Sequence, residues 1–347
     1  MGLSESLAKR KGRAMNIAHH QDLAETTGFP LRVSAAMAAR LDMPGVAAQF
    51  LPDGRELVVS DLALVDPIGD EVHSPVKGLT HRYPDRVILR ATLTCAVHCR
   101  FCFRREVVGD AGPLAEADLA AALDYVAARP AIREVILTGG DPLMLSERRI
   151  IGLLERIAAI PHVDLIRLHS RIPVVSPERI TPALVKAMDL RPAVWMVLHV
   201  NHADEIGVEA EGALARLVKG GVPVLSQSVL LRGANDAPEI LEALFRKLLM
   251  LRVKPYYLHH ADLVRGGEHF RTTIAEGQAI MAALRGKISG TALPQYVIDL
   301  PGGHGKVPLG PDYLAAGPKG HRIRDPQGVW HDYADPDRGL LRAVKSG

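Results

Sequence analysis

The chain contains, over residues 87–102, the segment Val87-Ile88-Leu89-Arg90-Ala91-Thr92-Leu93-Thr94-Cys95-Ala96-Val97-His98-Cys99-Arg100-Phe101-Cys102. Its first half is apolar and rich in β-branched residues, which predicts a strand. Its second half holds all three cysteines of the 347-residue chain, with the spacing C-x3-C-x2-C. Three clustered thiolates can hold three irons of an iron-sulfur cube and leave the fourth iron without a protein ligand. The sequence therefore predicts a metal loop after a first strand, with one metal position open to a small chelating molecule.

Two other interpretations of the cysteines stay open. A zinc ion would need a fourth ligand, and His98 can supply one, although a residue between two ligands in so short a loop is usually poorly aimed. A disulfide or a buried thiol group is the plainer alternative. An odd number of cysteines, crowded into eight positions, suits a metal better than packing.

The composition describes a globular chain and excludes some classes of function. Hydrophobic residues make up 48% of the chain, which is ample for a core, and the length suits one large domain with extensions or two small domains. The net charge of +3 is mild, aromatic residues are few and there is no basic stripe, so nucleic-acid binding is not predicted. No run approaches the roughly 18 apolar residues of a membrane span.

The first sixteen residues carry four basic side chains (Lys9, Arg10, Lys11 and Arg13), which we interpret as a solvated face. No apolar segment follows them, so a secretory signal is not predicted. A reducing cytoplasm fits the three unpaired cysteines.

Strand and helix signals alternate from residue 87 to about residue 286. The predicted strands are residues 87–94, 134–138, 164–169, 193–200, 222–230 and 253–258. The predicted helices are residues 114–128, 146–159, 181–189, 205–219, 237–250 and 272–285. Six βα units favour a parallel sheet with helices outside it, either open and twisted or curved into a barrel. Functional side chains in such sheets gather at the carboxyl ends of the strands.

The two ends of the chain differ from this repeat. Residues 1–60 have a mixed, helical pattern that includes a short capped helix over residues 34–41, and residues 61–86 are rich in loop signals. Residues 290–310 form a separate segment, and residues 320–335 predict a hairpin that turns at Asp325-Pro326-Gln327-Gly328. We therefore divide the chain into an N-terminal extension (1–80), a core (81–289) and a C-terminal segment (290–347).

Glycine-rich turns mark two candidate sites. The turn Thr138-Gly139-Gly140-Asp141-Pro142 follows the second predicted strand, and its glycines allow close backbone approach to a ligand, although many such turns are only turns. Lys306 lies in the loop Gly302-Gly303-His304-Gly305-Lys306, which does not match a phosphate-binding loop. Lys306 is either an ordinary surface lysine or a lysine that forms a Schiff base with pyridoxal 5'-phosphate (PLP).

Several charged residues complete the set of candidates. Arg82 and Arg86 lie four residues apart and can clamp a phosphate. Asp262 and Asp299 each follow a strand-like run in the last part of the chain, and two converging carboxylates can bind an ammonium group. Arg104 lies two residues beyond the last cysteine and can bind a carboxylate. Taken alone, each of these residues is better explained as an exposed charge.

Taken together, these signals resemble the lysine 2,3-aminomutase family, which are radical S-adenosylmethionine (SAM) enzymes that also use PLP. The resemblance runs from about Gly78 to Pro311, roughly two-thirds of the chain. The motifs that carry it are His81-Arg82-Tyr83-Pro84-Asp85-Arg86, the cysteine loop with Arg104 and Arg105, Thr138-Gly139-Gly140-Asp141, His169-Ser170-Arg171, Asn201-His202, Ser226–Leu231, Gly267–Thr272 and Asp299–Lys306. The resemblance implies a partial (β/α)6 radical SAM barrel, with an N-terminal helical extension and a C-terminal segment that carries the PLP lysine.

The resemblance also implies a role for each matching residue. Cys95, Cys99 and Cys102 would ligate a [4Fe-4S] cluster. Lys306 would be the catalytic lysine that carries PLP. The other implied cofactor contacts are those of PLP with Arg82, Tyr83 and Arg86, and those of SAM with Gly139, Gly140, Asp141, His199 and Gln227. The implied substrate contacts are Arg104 with the α-carboxylate, and Asp262 and Asp299 with the ε-ammonium.

The implied activity is that of an isomerase, which moves the α-amino group of L-lysine to C3 and gives β-lysine. The implied partners are L-lysine, a reductant such as flavodoxin or ferredoxin, and further copies of the chain in a homo-oligomer, with no nucleic acid and no membrane. Three alternatives stay open: β-lysine made for the modification of elongation factor P, arginine or glutamate as the substrate, and a structural metal-binding module without activity.

The sequence departs from the family in three places. His259 stands where the clostridial enzymes have a tyrosine near PLP, and His304 interrupts the glycines before Lys306. The C-terminal zinc-binding cysteines of those enzymes have no counterpart, because the cysteine loop already accounts for all three cysteines.

Overall fold

The structure is a computed structural model that describes residues 19–109, 111–318 and 320–336. The basic residues Lys9 to Arg13 lie outside the described part of the chain. The described N-terminal part is helical over residues 19–26 and forms two further short helices, α1 (Ala35–Ala38) and α2 (Pro44–Phe50). The hydroxyl of Ser34 accepts a hydrogen bond from the Met37 N–H, so α1 is capped where the sequence predicts.

The centre of the molecule is a nine-stranded sheet whose strands follow one another in chain order. Its strands are β1 (Leu79–Tyr83), β2 (Arg86–Thr92), β3 (Glu134–Gly139), β4 (Leu165–Ser170), β5 (Ala193–His199), β6 (Val224–Leu230), β7 (Lys254–His260), β8 (Gln295–Leu300) and β9 (Gly305–Pro308). Strands β2 to β8 pair in parallel, whereas β1 and β9 pair antiparallel at the two edges. Residues from every strand face one common cavity, so the sheet curves around it as a nearly closed barrel.

Helices connect the parallel strands and cover the outer face of the barrel. They are α3 (Glu116–Ala127), α4 (Glu147–Ala158), α5 (Ile172–Val175), α6 (Pro182–Lys186), α7 (Val208–Lys219), α8 (Pro238–Met250) and α9 (Ile274–Leu284). In α8 the buried side chains are Leu241, Leu244, Phe245 and Leu248, at the i, i+3, i+4, i+7 spacing of one helix face. Burial of each such side chain contributes about 2 kcal/mol to the stability of the fold.

Strand alternation decides which side chains enter the barrel. In β6, Leu225, Gln227 and Val229 line the cavity, while Val224, Ser226 and Leu230 are buried on the other face. The polar residues of β4 and β7 that enter the barrel, Arg167, His169 and His259, occupy the same kind of position. The two-residue period of these strands therefore directs several polar side chains into the lumen, while the opposite face packs in the core.

The C-terminal part of the chain divides between two sheets. Residues 295–308 form the hairpin β8–β9, which joins the barrel, and its turn contains Gly302 and Gly303 with φ of 77° and 81°. This turn places Lys306 opposite Asp299 in the antiparallel register. Beyond it, β10 (Leu314–Gly317), β11 (Gly320–Arg324) and β12 (Trp330–Tyr333) form a separate three-stranded sheet that contains the predicted hairpin. The division of the chain at residues 80 and 289 stays a prediction.

The predicted order of strands and helices is confirmed from β2 to α9, with shifts at some ends. Helix α6 is shorter than predicted, and its N-cap is Thr181. Helix α7 begins at Val208 rather than at Glu205, because the carboxylate of Glu205 is turned back onto the N–H groups of Asn201 and His202. The seventh parallel strand, β8, follows the six predicted βα units.

Candidate active site

The barrel encloses a cavity of about 760 Å³. Its wall contains every site residue that the sequence predicts. These are Arg82, Tyr83, Arg86, Cys95, Cys99, Cys102, Arg104, Gly139, Gly140, Asp141, His199, Gln227, Asp262, Asp299 and Lys306. Residues separated by more than 200 positions in the chain thus meet in one space, as expected when the ends of neighbouring parallel strands converge.

The cysteine loop is fixed from behind by buried polar contacts. Arg100, between the second and third cysteines, is fully buried and donates to both carboxylate oxygens of Glu56, at 2.8 and 2.6 Å. His98 stacks on the Phe29 ring at 5.0 Å, and its Nδ1 lies 2.9 Å from the Pro30 carbonyl oxygen. The His98 side chain therefore packs against the N-terminal segment rather than into the cavity.

The geometry of the loop bears on the choice of metal. Among the described residues, no three His, Cys, Asp or Glu side chains converge closely enough to hold a single ion. A cubane cluster holds its thiolates farther apart than one zinc ion does, because each thiolate binds a different iron. With His98 turned away, the donor set fits a cluster with three thiolate ligands.

The three cysteines are unpaired and half-buried, in an environment that disfavours free thiolates. Burial raises the pKa of all three thiols, that of Cys102 to about 11. A bound metal supplies the positive charge that deprotonates such thiols. The loop is therefore built for thiolates that exist only in the metal-bound protein.

The Gly139-Gly140-Asp141 turn supports the cysteine loop through its backbone. The Gly140 N–H donates to the Thr92 carbonyl at 2.8 Å, and the Asp141 N–H donates to the Thr94 carbonyl at 2.9 Å. A Cβ at Gly140 would lie 2.4 Å from the Thr94 oxygen, so only glycine fits. The sequence suggests close approach to a ligand, but the close approach seen in the structure is to the base of the cysteine loop.

Asp141 is buried and already has protein partners. Its carboxylate accepts hydrogen bonds from the Ser170 hydroxyl and from the N–H groups of Leu143 and Arg171. Burial raises the pKa of Asp141, while these hydrogen bonds oppose the rise. Asp141 thus joins the end of β4 to the turn that carries the cysteine loop.

His199 and Gln227 lie side by side in the register of β5 and β6. The His199 ring is parallel to the Phe101 ring, which belongs to the cysteine loop, at 5.7 Å between centroids. Burial lowers the pKa of His199 well below its usual value, so the ring is neutral. His199 therefore adjoins the cysteine loop, and Gln227 lies next to His199.

Lys306 lies in a compact group of polar side chains. Its Nζ contacts the Asp299 carboxylate and lies 3.1 Å from Nδ1 of His259, and its backbone N–H donates to the Tyr83 hydroxyl at 2.9 Å. Burial lowers the pKa of Lys306 even though the carboxylates of Asp299 and Asp262 oppose this. A lysine with a lowered pKa is a better nucleophile towards an aldehyde, so these contacts favour Schiff-base chemistry over a surface role.

The two aspartates respond differently to the same surroundings. Burial alone would raise the pKa of Asp299, but the His259 hydrogen bond and the Lys306 cation hold it below its usual range. For Asp262, burial and the neighbouring charge of Asp299 raise the pKa to about 7. The site thus holds one ionised carboxylate and one carboxyl group near the midpoint of its titration.

The arginines have partners that the sequence does not reveal. Nε of Arg104 donates to Asp70 at 2.6 Å, and Arg82 donates to the Ile68 carbonyl at 2.5 Å and lies 3.7 Å from Asp70. Asp70 lies in a loop-rich segment with no motif around it, so no sequence signal identifies it. The hydrogen bond of Arg104 uses only its Nε, which leaves its terminal nitrogens for a ligand.

Sequence reasoning also left His169 without a role. His169 is buried on β4, and its Nε2 has no hydrogen-bond partner among the described residues. The same is true of Nε2 of His259 and of Nε of Arg82. Unpartnered buried polar atoms are costly unless a ligand satisfies them. Together they fit a cavity that accommodates a polar cofactor beside Lys306.

Comparison with known proteins agrees with this geometry. The radical SAM superfamily model matches residues 89–244, and the lysine-2,3-aminomutase family model matches residues 281–345. The L-lysine 2,3-aminomutase of Fusobacterium nucleatum is 42% identical over 297 residues, which cover 84% of this chain and 69% of that protein. The chain belongs to the lysine 2,3-aminomutase family.

Two other relatives show the range of this family. The L-lysine 2,3-aminomutase of Escherichia coli is 38% identical, with 81% of this chain and 83% of that protein covered. The glutamate 2,3-aminomutase of Clostridioides difficile is 39% identical, with 73% of this chain and 60% of that protein covered. The resemblance stated from the sequence is confirmed, and so are the radical SAM fold and the assignment as an aminomutase, which is an isomerase.

Membership of the lysine 2,3-aminomutase family implies the [4Fe-4S] cluster and SAM, and it is consistent with PLP. The three unpaired thiols and the unpartnered polar atoms around Lys306 fit these groups. In the part of the chain that the structure describes, no helix is both long and apolar enough to cross a membrane.

Replacing Asp262 by asparagine should stabilise the aminomutase apoprotein at alkaline pH. The pKa of Asp262 in the folded protein, about 7, lies above the ordinary aspartate value of 3.8, so the folded state binds this proton more tightly than the unfolded chain. The carboxyl group therefore lowers stability progressively as pH rises from about 4 to about 7. Urea unfolding should show that Asp262→Asn gains about 1–3 kcal/mol more at pH 8 than at pH 5. An equal gain at both pH values would mean that this carboxyl group is ionised throughout.

Proposed function

We propose that this chain moves the α-amino group of L-lysine to C3, producing β-lysine, with Cys95, Cys99 and Cys102 as cluster ligands and Lys306 as the PLP lysine. The observation that carries the proposal is the group formed by Lys306, Asp299 and Asp262 in the same cavity as the cysteine loop. In the structure, Asp299 holds a primary ammonium on a four-carbon chain. The substrate ε-ammonium is the same chemical group on the same kind of chain.

When bound, the cluster and SAM supply a carbon radical, and PLP stabilises an unpaired electron on the substrate. Binding and placement are the work of this chain's own residues. Tyr83 holds the backbone of Lys306, and the guanidinium of Arg86 lies 3.7 Å from the Tyr83 ring centre. Arg82 and Arg86 therefore lie on the side of the cavity next to Lys306, where they would bind the PLP phosphate.

The two ends of the substrate would be recognised by opposite charges. Arg104 retains two terminal nitrogens for the α-carboxylate, and Asp70 fixes the orientation of its guanidinium. Once Lys306 is committed to PLP, Asp299 loses its ammonium partner, and a substrate ammonium would replace it. An unpaired buried carboxylate is costly, so the pair Asp262 and Asp299 would disfavour a substrate whose side chain ends in a carboxylate.

The deciding experiment is anaerobic incubation of reconstituted protein with SAM, PLP, dithionite and an amino-acid panel. We expect 3,6-diaminohexanoate from lysine and little product from glutamate or arginine. Glutamate is included because a relative named glutamate 2,3-aminomutase is 39% identical to this chain. Preferential conversion of glutamate would contradict the assignment of Asp262 and Asp299 to an ammonium. A pale protein that contains only zinc would contradict the enzymatic proposal altogether.

Replacing Asp299 by alanine should lower kcat/KM for lysine by roughly 30- to 1,000-fold. The reason is that removing one partner of a buried charge pair costs about 2–4 kcal/mol. The cluster absorbance should remain, because Asp299 lies on β8 and contacts no cysteine. Lysine titrations by product formation, with PLP absorbance recorded in parallel, separate weak substrate binding from loss of the cofactor. Unchanged kcat/KM would remove Asp299 from the substrate site.

The cellular setting is a further part of the proposal. The unpaired cysteines suit a reducing compartment such as the cytoplasm, and the electron donor would be a flavodoxin or ferredoxin. A homo-oligomer is the proposed assembly. Use of the product for elongation factor P is the alternative to free β-lysine, and a lysine-ligase partner that accepts the product would favour it.

A further inference from the structure

Arg171 directly contacts one of the three cysteines. Its Nη1 donates to Sγ of Cys99 at 2.8 Å, from a side chain that is 6% exposed. The Arg171 backbone N–H donates to the Asp141 carboxylate at 2.7 Å, which fixes the Arg171 backbone just beyond the end of β4. The motif His169-Ser170-Arg171 is part of the resemblance to the family, but the roles that the resemblance implies do not include Arg171.

The rest of the guanidinium is held so that Nη1 keeps this direction. Nη2 donates to Gln49 and to Glu205, both at 2.6 Å. The guanidinium carbon lies 4.5 Å from the centre of the Phe50 ring. Gln49 and Glu205 are also bonded to each other at 2.9 Å, so two fully buried polar residues determine where the cation lies.

One donor of Arg171 is not used by the protein. Its Nε is buried and has no hydrogen-bond partner within the described ranges, although Arg171 lines the cavity. A buried N–H without a partner next to a ligand site is normally satisfied by that ligand. The contact with Cys99 therefore directs the arginine to the cluster site, and Nε leaves one buried donor for a ligand.

We infer that Arg171 is a positioning residue that raises the reduction potential of the cluster by hydrogen bonding to the Cys99 thiolate. The inference rests on the proposed function, because it requires the cluster. Reduction adds one electron from a low-potential one-electron donor, and no bond to the protein forms or breaks. The added negative charge interacts more favourably with a nearby N–H dipole and a cation, so the reduced state gains more than the oxidised state.

Glu205 limits this effect. Its carboxylate contacts the Arg171 guanidinium and partly neutralises the positive charge beside the cluster. Removing the cation and removing the carboxylate should therefore move the potential in opposite directions. A merely structural role for either residue would not produce opposite shifts.

The test compares four anaerobically reconstituted holoenzyme variants with the wild type. These variants are Arg171→Gln, Arg171→Lys, Glu205→Gln and the control Arg216→Gln. Arg216 is an exposed arginine whose guanidinium also has protein partners, because it donates to the carbonyls of Ile180 and Pro177 at 2.7 and 3.2 Å, and it does not line the cavity. Iron and sulfide analysis establishes cluster content, and a redox titration followed by electron paramagnetic resonance gives the midpoint potential.

At a fixed solution potential, we expect Arg171→Gln to lower the ratio of reduced to oxidised cluster by at least tenfold. For a one-electron couple this corresponds to a fall of about 59 mV in the midpoint potential. Arg171→Lys keeps a charge and should shift less, Glu205→Gln should shift the potential upwards, and Arg216→Gln should not shift it. A wild-type midpoint in fully loaded Arg171→Gln would overturn the inference.

Two further outcomes also decide the question. If Arg171→Gln fails to take up the cluster, the Glu205→Gln variant decides, because an upward shift supports the inference and any other result overturns it. If the wild type takes up a cluster and makes β-lysine but no variant shifts, only this inference fails. If the wild type takes up no cluster, both the proposed function and the inference about Arg171 fail.

Discussion

Replacing Lys306 by alanine is expected to abolish the visible absorbance of bound PLP and to reduce β-lysine formation by roughly 10³-fold or more. Among the described residues, Lys306 is the one lysine in the cavity wall, and its amine lies between Asp299 and His259. No other described lysine can take its place without moving a strand. Absorption spectra of the PLP-loaded protein and product analysis after anaerobic turnover measure the two effects.

The matched control for this experiment is Lys306→Arg. Arginine keeps a cation beside Asp299 but cannot form the Schiff base, so it separates the charge from the covalent chemistry. Both variants should retain the iron and sulfide content of the wild type. Persistence of the PLP absorbance in Lys306→Ala would reject the PLP assignment.

Replacing Cys95 by alanine should remove the cluster and abolish the conversion of SAM into deoxyadenosine. With three thiolate ligands, the cluster loses a third of its protein ligands, and the chain has no fourth cysteine to replace the lost one. Iron analysis, visible absorbance and chromatography of deoxyadenosine under dithionite measure the loss.

The binding of PLP provides the internal control for the Cys95→Ala variant. Lys306, Tyr83 and Asp299 contact one another without using the cysteine loop, so the PLP absorbance should persist. The pair of variants thus separates the two cofactors, since each should lose one and keep the other. Retention of four irons by Cys95→Ala would contradict the ligand assignment.

Local periodicity was enough to predict six of the seven parallel strands, β2 to β7. Helix α8 and strand β6 show the reason, because each repeats its buried positions at its own period, i, i+3, i+4, i+7 in one and every second residue in the other. Edge strands β1 and β9 escaped prediction. They are short, and their pairing depends on neighbours and on the positive-φ glycines Gly302 and Gly303 rather than on their own patterns.

The candidate site was predicted only through motifs read together. The spacing of Cys95, Cys99 and Cys102 identifies them as metal ligands in the sequence, whereas an isolated arginine or aspartate carries no such signal. Asp70, which orients Arg104, and Glu205, which holds Arg171, contact partners 34 residues away in sequence, with no shared motif. Such pairs are set by the path of the chain, so they become visible only in three dimensions.

The β8–β9 hairpin carries both Asp299 and Lys306 as a directly opposed cross-strand pair. The proposed cofactor anchor and the proposed substrate-selecting carboxylate thus lie within one stretch of fourteen residues, from Gln295 to Pro308. Libraries aimed at new amino-acid substrates can therefore concentrate on this single hairpin. Replacing this hairpin by the equivalent hairpin of a relative would exchange both the proposed PLP lysine and the proposed carboxylate that selects the substrate side chain in one genetic step.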